Sequence, residues 1–292
     1  MNKSKVAIIG SSGYIANYIK ARLRNEGMAD RIVNIDQTDE VDVKLDLMNA
    51  EAFDYSKLDD VEYVIMTAAI SGPDKCAEEY DFCNQINVVG TSYFIKEAIK
   101  KKCKVIFFSS DAVFGDISGM TYTEQSETNA NTPYGQMKKA VEDEFKDSSY
   151  FKAIRLSYVV SAKDRFVSYC LGCIDRNEEA EVFHPFYRNC ITVSDVVGVV
   201  VWLINNWDVY TPWVLNVAGK ELVSRVRIAD EINRYLGNNL KYKIISPEEV
   251  FYRNRPKITQ MQSVYMQKYG ILEDNTFTEK IQKELEELKN GN

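Results

Sequence analysis

The chain of 292 residues has a single histidine, His184, and no second CxxC beside Cys170 and Cys173. A structural zinc site takes four ligands, most often closely spaced cysteines and histidines, so a complete tetrahedral set is hard to assemble and no metal is expected. Long hydrophobic runs are missing too. The apolar run after MNKSK is about five residues, short of a secretory core and far short of the roughly 20 that span a bilayer. The chain therefore reads as cytoplasmic, with no membrane partner, and its six cysteines (Cys76, Cys83, Cys103, Cys170, Cys173, Cys190) as reduced core thiols. A positive excess is also lacking: 36 basic against 43 acidic residues give a net charge of -7, with both signs interleaved. That distribution offers no stripe for tracking phosphates and speaks against a nucleic-acid partner.

What is present is an ordinary globular composition, 45% hydrophobic and 27% charged, which speaks against fibre and disorder. The length suits one large α/β domain, or a domain with a smaller lobe. Short apolar runs alternate with helical patterns: Val6 to Ile9, a helix stopping at Gly27, Arg31 to Ile35, VEYVIMTAA, a helix from about Glu78 to Lys101, KVIFFSS, a helix holding YGQMK, then FKAIRLSYVV. Continuous apolar strands between helices imply a parallel sheet covered on both faces, a doubly wound Rossmann arrangement. After about residue 160 the pattern loosens into helices and small α/β additions. No Pro/Gly/Ser-rich linker marks the change, and no repeat or low-complexity segment is found. We expect residues 1–160 to form the first domain and 161–292 mainly a second lobe, with a soft boundary and some interleaving.

Behind the first strand, Gly10-Ser11-Ser12-Gly13-Tyr14-Ile15-Ala16 spells GxxGxxA. A dinucleotide pyrophosphate needs backbone N–H groups at a helix N-terminus with no side chain in the way, which is what glycines in a strand–turn–helix setting provide. Asp36 ends the second strand, placed to accept from the adenosine ribose hydroxyls and to repel a 2′-phosphate. NAD is thus the expected cofactor, with NADP the alternative. Asp46 and Leu47 follow a third short strand, where they would meet the adenine.

Moving a hydride to or from an alcohol carbon also requires moving a proton on its oxygen. In YGQMK, Tyr134 and Lys138 lie four apart and so on one helix face: a phenol to carry the proton, and a cation to tune it and hold the nicotinamide ribose. Ser109 and Ser110 end KVIFFSS, where a hydroxyl would orient the substrate oxygen.

Taken in order along nearly the whole chain, these motifs resemble the extended short-chain dehydrogenase/reductases, and within them the nucleotide-sugar epimerases, dehydratases and reductases. The resemblance implies that Thr67, Ala68 and Ala69 of VIMTAA contact the cofactor and that Asn87 of INVVGT buttresses its site. It implies Ser110, Tyr134 and Lys138 as the catalytic set. RNCITVSDV and NRPK resemble segments whose arginines meet a nucleotide diphosphate, making Arg188 and Arg255 substrate-binding candidates, with Asp111 and Tyr158 beside the substrate. Tyr158 departs from an asparagine common in the epimerases, and Ala112 stands where the dehydratases carry a second acid, which disfavours dehydration. SSDAVF is similar to the S-[ST]-D-x-V-F segment of 4-keto-sugar reductases such as the dTDP-dehydrorhamnose reductases. Three functions follow: reduction of a 4-keto nucleotide sugar, 4-epimerisation with retained NAD, or a dinucleotide-binding regulatory protein without catalysis. The resembled family also contains many homodimers.

Overall fold

The computed structural model describes residues 5–117 and 119–290. In chain order the elements are β1 (Lys5–Ile9), α1 (Tyr14–Asn25), β2 (Ile32–Asp36), β3 (Val43–Lys44), β4 (Val61–Met66), α2 (Pro73–Glu78), α3 (Tyr80–Asn84), α4 (Thr91–Lys100), β5 (Lys104–Ser110), β6 (Thr121–Tyr122), α5 (Pro133–Phe145), β7 (Phe151–Leu156), β8 (Val159–Val160) and α6 (Arg165–Asp175). Then come β9 (Ala180–Phe183), β10 (Tyr187–Arg188), β11 (Ile191–Thr192), α7 (Val193–Asn205), β12 (Val214–Val217), β13 (Val223–Ser224), α8 (Arg225–Tyr235), β14 (Tyr242–Ile245), α9 (Glu249–Tyr252), β15 (Ile258–Met261) and α10 (Phe277–Leu285).

The apolar runs become a seven-stranded parallel sheet in the order β12-β7-β5-β4-β1-β2-β3. Such strands are buried on both faces, and four of the five residues of β1 and all six of β7 are buried. The order reverses between β1 and β4, which creates a crevice at the carboxyl ends of those two strands. Local chemistry sets the helix ends. α1 stops where Gly27 takes φ +78° and the amides of Gly27 and Met28 return to the carbonyls of Arg24 and Leu23, a left-handed cap that glycine adopts without strain. α5 starts at Thr132, whose hydroxyl accepts from Gly135 N, with Pro133 in the first turn.

Two compact units emerge, and the chain weaves between them. The first comprises Met1–Gly115, Glu127–Arg155 and Val197–Leu215; the second comprises Asp116–Ser126, Leu156–Val196 and Asn216–Asn292. The expected division at residue 160 therefore gives way to a three-segment first unit, because the end of α7 and the loop into β12 pack under the large sheet. Tyr63 hydroxyl donates to Ile204 O at 2.9 Å, and Tyr210, fully buried, donates to Val214 O at 2.7 Å. In the second unit, Cys170 and Cys173 face inward from α6 among Val182, Ile228, Ile232 and Ile281. Burial pushes the Cys170 thiol up to about 12, so this CxxC is core packing.

The helix expected from about Glu78 to Lys101 runs without interruption from Tyr80 to Lys100, but not as a uniform α-helix. Glu79 separates α2 from α3, and a π-helical turn, Gln85–Gly90, joins α3 to α4. Gly90 explains part of the geometry: a Cβ there would lie 1.8 Å from Leu47 O, so the helix passes against that carbonyl as only glycine allows.

The underside of α5 is fastened to the sheet by charge. Glu142 accepts from Arg155 of β7 through Nε at 3.0 Å and Nη2 at 2.7 Å, and the two side chains are 2% and 3% exposed. Arg155 also lies over the Phe114 and Trp213 rings at 4.9 and 5.5 Å. Removing one partner would strand the other charge in the interior. Glu142→Ala is therefore expected to lower the unfolding free energy by about 3–5 kcal/mol in urea denaturation. A change within the range of a surface ion pair, under about 1 kcal/mol, would show that the pair does not hold the helix.

Candidate functional site

At the crevice, Gly10 leaves β1 with φ +81°. A Cβ there would sit 2.8 Å from the backbone N and Cα of Ala68, so the glycine lets β1 and β4 close on each other where the loops diverge. Gly10 N donates to Ile35 O at 2.9 Å, and Gly13, the residue before α1, donates to Gly10 O at 2.9 Å. Ser12 N points at Asp36, donating to Oδ2 at 2.8 Å, while Gln37 N holds Oδ1 at 2.7 Å. The Asp36 carboxylate is thus fixed beside the glycine turn by two amides. Opposite, Thr67 N and Ala68 N both donate to Ile9 O at 3.0 Å.

A cleft of about 530 Å³ opens here, and Gly10, Ser12, Gly13, Asp36, Asp46, Leu47, Thr67, Ala68 and Ala69 all line it. Tyr14 and Ile15 stand in the first turn of α1, outside that lining. Asn87 lies behind the wall, buried: its Oδ1 accepts from Ile70 N at 2.8 Å and its Nδ2 donates to Ile70 O at 2.9 Å. It holds the loop after β4 by satisfying both backbone groups of one residue. Asp46 caps the short 3-10 helix Leu47–Ala52 by accepting from Met48 N at 2.9 Å. Thr38, Lys75 and Phe82 also line the cleft; sequence reasoning missed them, since no local motif marks a residue brought in from a loop or from the short helices α2 and α3.

Ser110 ends β5, where its hydroxyl donates to Asp111 Oδ1 at 3.0 Å and accepts from Ala112 N at 3.2 Å. Lys138 is buried, donates to Phe108 O at 2.7 Å, and lies 4.6 Å from the Phe107 ring centre and 5.8 Å from that of Tyr134. Tyr134 packs against Cys76, Cys83 and Met137. Burial holds the Lys138 ammonium down at about 8 against an ordinary 10.5, with Glu142 and Cys76 opposing the drop. Burial likewise raises the Tyr134 phenol above its ordinary value, with Cys76 and Asp111 adding to the rise. Desolvation here outweighs the tuning expected from the lysine, so at neutral pH the phenol is held protonated beside an ammonium.

In the second unit, Tyr158 hydroxyl donates to Asp164 Oδ1 at 2.8 Å, and Asp164 caps α6. Arg188 donates to Tyr187 O at 2.7 Å and Pro256 O at 2.8 Å, and lies 4.4 Å from the Phe186 ring. Arg255 donates to Phe251 O at 2.7 Å and lies 4.6 Å from the Phe251 ring. The two rings meet edge to face at 5.6 Å, so both arginines are held on one aromatic pair. Arg225 joins them over Phe186 at 4.8 Å and was not anticipated from the sequence.

Comparison with known proteins fits this architecture. Residues 4–290 match the model of the RmlD substrate binding domain family. The chain belongs to that family, within the extended short-chain dehydrogenase/reductases its motifs resemble. Among solved structures, a dTDP-4-dehydrorhamnose reductase of Clostridium acetobutylicum superposes with a TM-score of 0.83 at 23% identity, covering 98% of this chain and 99% of its own. MoeE5, in complex with UDP-glucose and NAD, gives 0.83 at 20% identity with 99% of each chain covered. Among curated proteins, the spore coat polysaccharide biosynthesis protein SpsK of Bacillus subtilis is 24% identical over 193 residues, 64% of this chain and 66% of that protein's length.

Gly135, inside YGQMK, is a further constraint on the site: a Cβ there would lie 2.2 Å from Ala112 O, so α5 rests directly on the turn after Ser110. Gly135→Ala is expected to destabilise the protein by about 1–3 kcal/mol in urea denaturation through overpacking. Unchanged stability would mean that the helix has room to shift.

Proposed function

We propose that the chain is an NAD(P)-dependent oxidoreductase that reduces a keto group, at C4, of a nucleotide-linked sugar. The observation that carries the reading is the placing of Ser110 at the end of β5, with Tyr134 and Lys138 on the α5 turn clamped against it. The cleft at the β1–β4 crevice fits a dinucleotide: a glycine turn with no space for side chains, and a fixed carboxylate at Asp36. When bound, the reduced nicotinamide supplies the hydride that forms the new C–H bond. Ser110 orients the carbonyl oxygen and Tyr134 gives it the proton. A phenol held protonated near neutrality suits that donor step. Arg188 and Arg255 bind the diphosphate, for which planar guanidinium forks are well matched. A second reading, 4-epimerisation with retained NAD, draws support from Asp36, which disfavours the 2′-phosphate of NADP.

Incubating purified protein with nucleotide sugars and their 4-keto forms, plus NADH or NADPH, separates the two by product mass. Reduction adds two hydrogens, epimerisation none; no dinucleotide binding at all would sink both. Tyr134→Phe is expected to slow turnover on the order of 10²-fold or more with cofactor affinity retained, and near-normal turnover would remove Tyr134 from the donor role. Because burial sets the Lys138 ammonium at about 8, the lysine loses its proton as pH rises through that value. kcat/KM should fall over the same range, and a profile flat from about pH 7 to 9 would show that the ammonium is not required. Asp36→Ala should relax discrimination against NADP, measured as the ratio of kcat/KM with NADH and NADPH. An unchanged ratio would place the selecting charge elsewhere.

A further inference from the structure

Arg225 is the first residue of α8, and its guanidinium is ringed by phenyl groups from separate parts of the second unit. Its centre lies 4.8 Å from the Phe186 ring, 5.1 Å from Phe166, 5.8 Å from Phe183 and 6.0 Å from Phe251. Such a cage holds a planar cation by its faces and leaves the N–H edge to do the binding. Nε is buried without a hydrogen-bond partner. Among the described residues the side chain makes no hydrogen bond or ion pair, and its two terminal nitrogens are not sealed from solvent. Asp164 is the nearby acid, yet its bonds come from Tyr158 hydroxyl, Phe166 N and Val167 N, and its second oxygen takes none from Arg225. Asp164 attracts the guanidinium through space, but no hydrogen bond or ion pair ties the two together.

Apart from Asp164, the charged groups beside it are cations. Arg188 shares the Phe186 ring with it, and Arg255 sits on Phe251 close enough to repel it. Three guanidinium groups around one pair of phenyl rings form an arrangement that a multiply charged anion would stabilise and a neutral ligand would not.

We propose that Arg225 is a third substrate-binding guanidinium, taking the diphosphate of the nucleotide-linked sugar together with Arg188 and Arg255. The inference rests on the nucleotide-sugar reading above. A diphosphate carries enough charge and oxygen acceptors to meet three forks, and the bare edge of Arg225 is the one that gains most from it.

The test is calorimetric titration of the full chain with UDP, dTDP, GDP and CDP, and separately with NAD, for the unaltered protein, Arg225→Met and Arg225→Lys. The expected result is that at least one nucleoside diphosphate binds the unaltered protein. Arg225→Met should weaken it tenfold or more, with NAD affinity changed less than twofold. Arg225→Lys, retaining charge but not the fork, should fall between. Equal diphosphate affinity in Arg225→Met and the unaltered protein overturns the role of Arg225 and leaves the nucleotide-sugar reading standing. If none of the four diphosphates binds the unaltered protein, that reading falls and the inference with it. Should Arg225→Met lose NAD affinity, and so its fold, Arg225→Lys decides: a threefold or larger loss of diphosphate affinity supports the assignment, and no loss overturns it.

Discussion

The first unit depends on how α5 is held to the sheet. Lys138 and Glu142 stand one turn apart on its buried face, the lysine reaching Phe108 O on β5 and the glutamate reaching Arg155 on β7. Burying these charges is unfavourable unless each is met, and here each is met across a different strand. The helix can therefore neither slide nor rotate without leaving a charge unpaired. Its first turn, carrying Tyr134, inherits that fixity, and Gly135 brings it down onto the turn after Ser110. Tyr134, Lys138 and Glu142 follow one another at four-residue spacing along one face of the helix, so the contacts that fix the helix also fix the tyrosine–lysine pair.

The same burial that fixes the helix also sets proton affinities. Phenol and ammonium are both driven toward their neutral forms by desolvation, more strongly than they influence each other. The phenol, already neutral at physiological pH, becomes harder to ionise; the lysine comes within reach of ordinary pH. A tyrosine–lysine pair read only by its spacing would suggest the opposite order of effects.

Much of this was legible in sequence because it is local. Strand, glycine turn and helix succeed one another within about 30 residues, and the turn needs glycine for reasons of space that hold wherever such a turn occurs. Asp36 and the YGQMK pair are likewise read from position along one element. The features that could not be read depend on distant partners. VVGVVVWLINN is apolar whichever core it joins, so its return to the first unit left no trace in the pattern. Arg225 gains its character from Phe166, Phe183, Phe186 and Phe251, spread over more than one element, and nothing adjacent to it in sequence announces a cage. Lys75 lines the cleft from α2, a short helix ahead of the one expected from about Glu78.

The wider turn between α3 and α4 limits how the chain tolerates change. Gln85–Gly90 carries the wider π-helical turn, and within it Asn87 holds both backbone groups of Ile70. A helix that gained regularity by losing one residue here would turn its N-terminal part by about 100° relative to α4. The asparagine would then face away from the loop that closes the crevice, or Gly90 would lose its seat on Leu47 O. The irregular turn is thus a phase adjuster: it lets one face of the helix hold the loop after β4 and the next serve the core, two demands that a uniform 3.6-residue repeat cannot meet together.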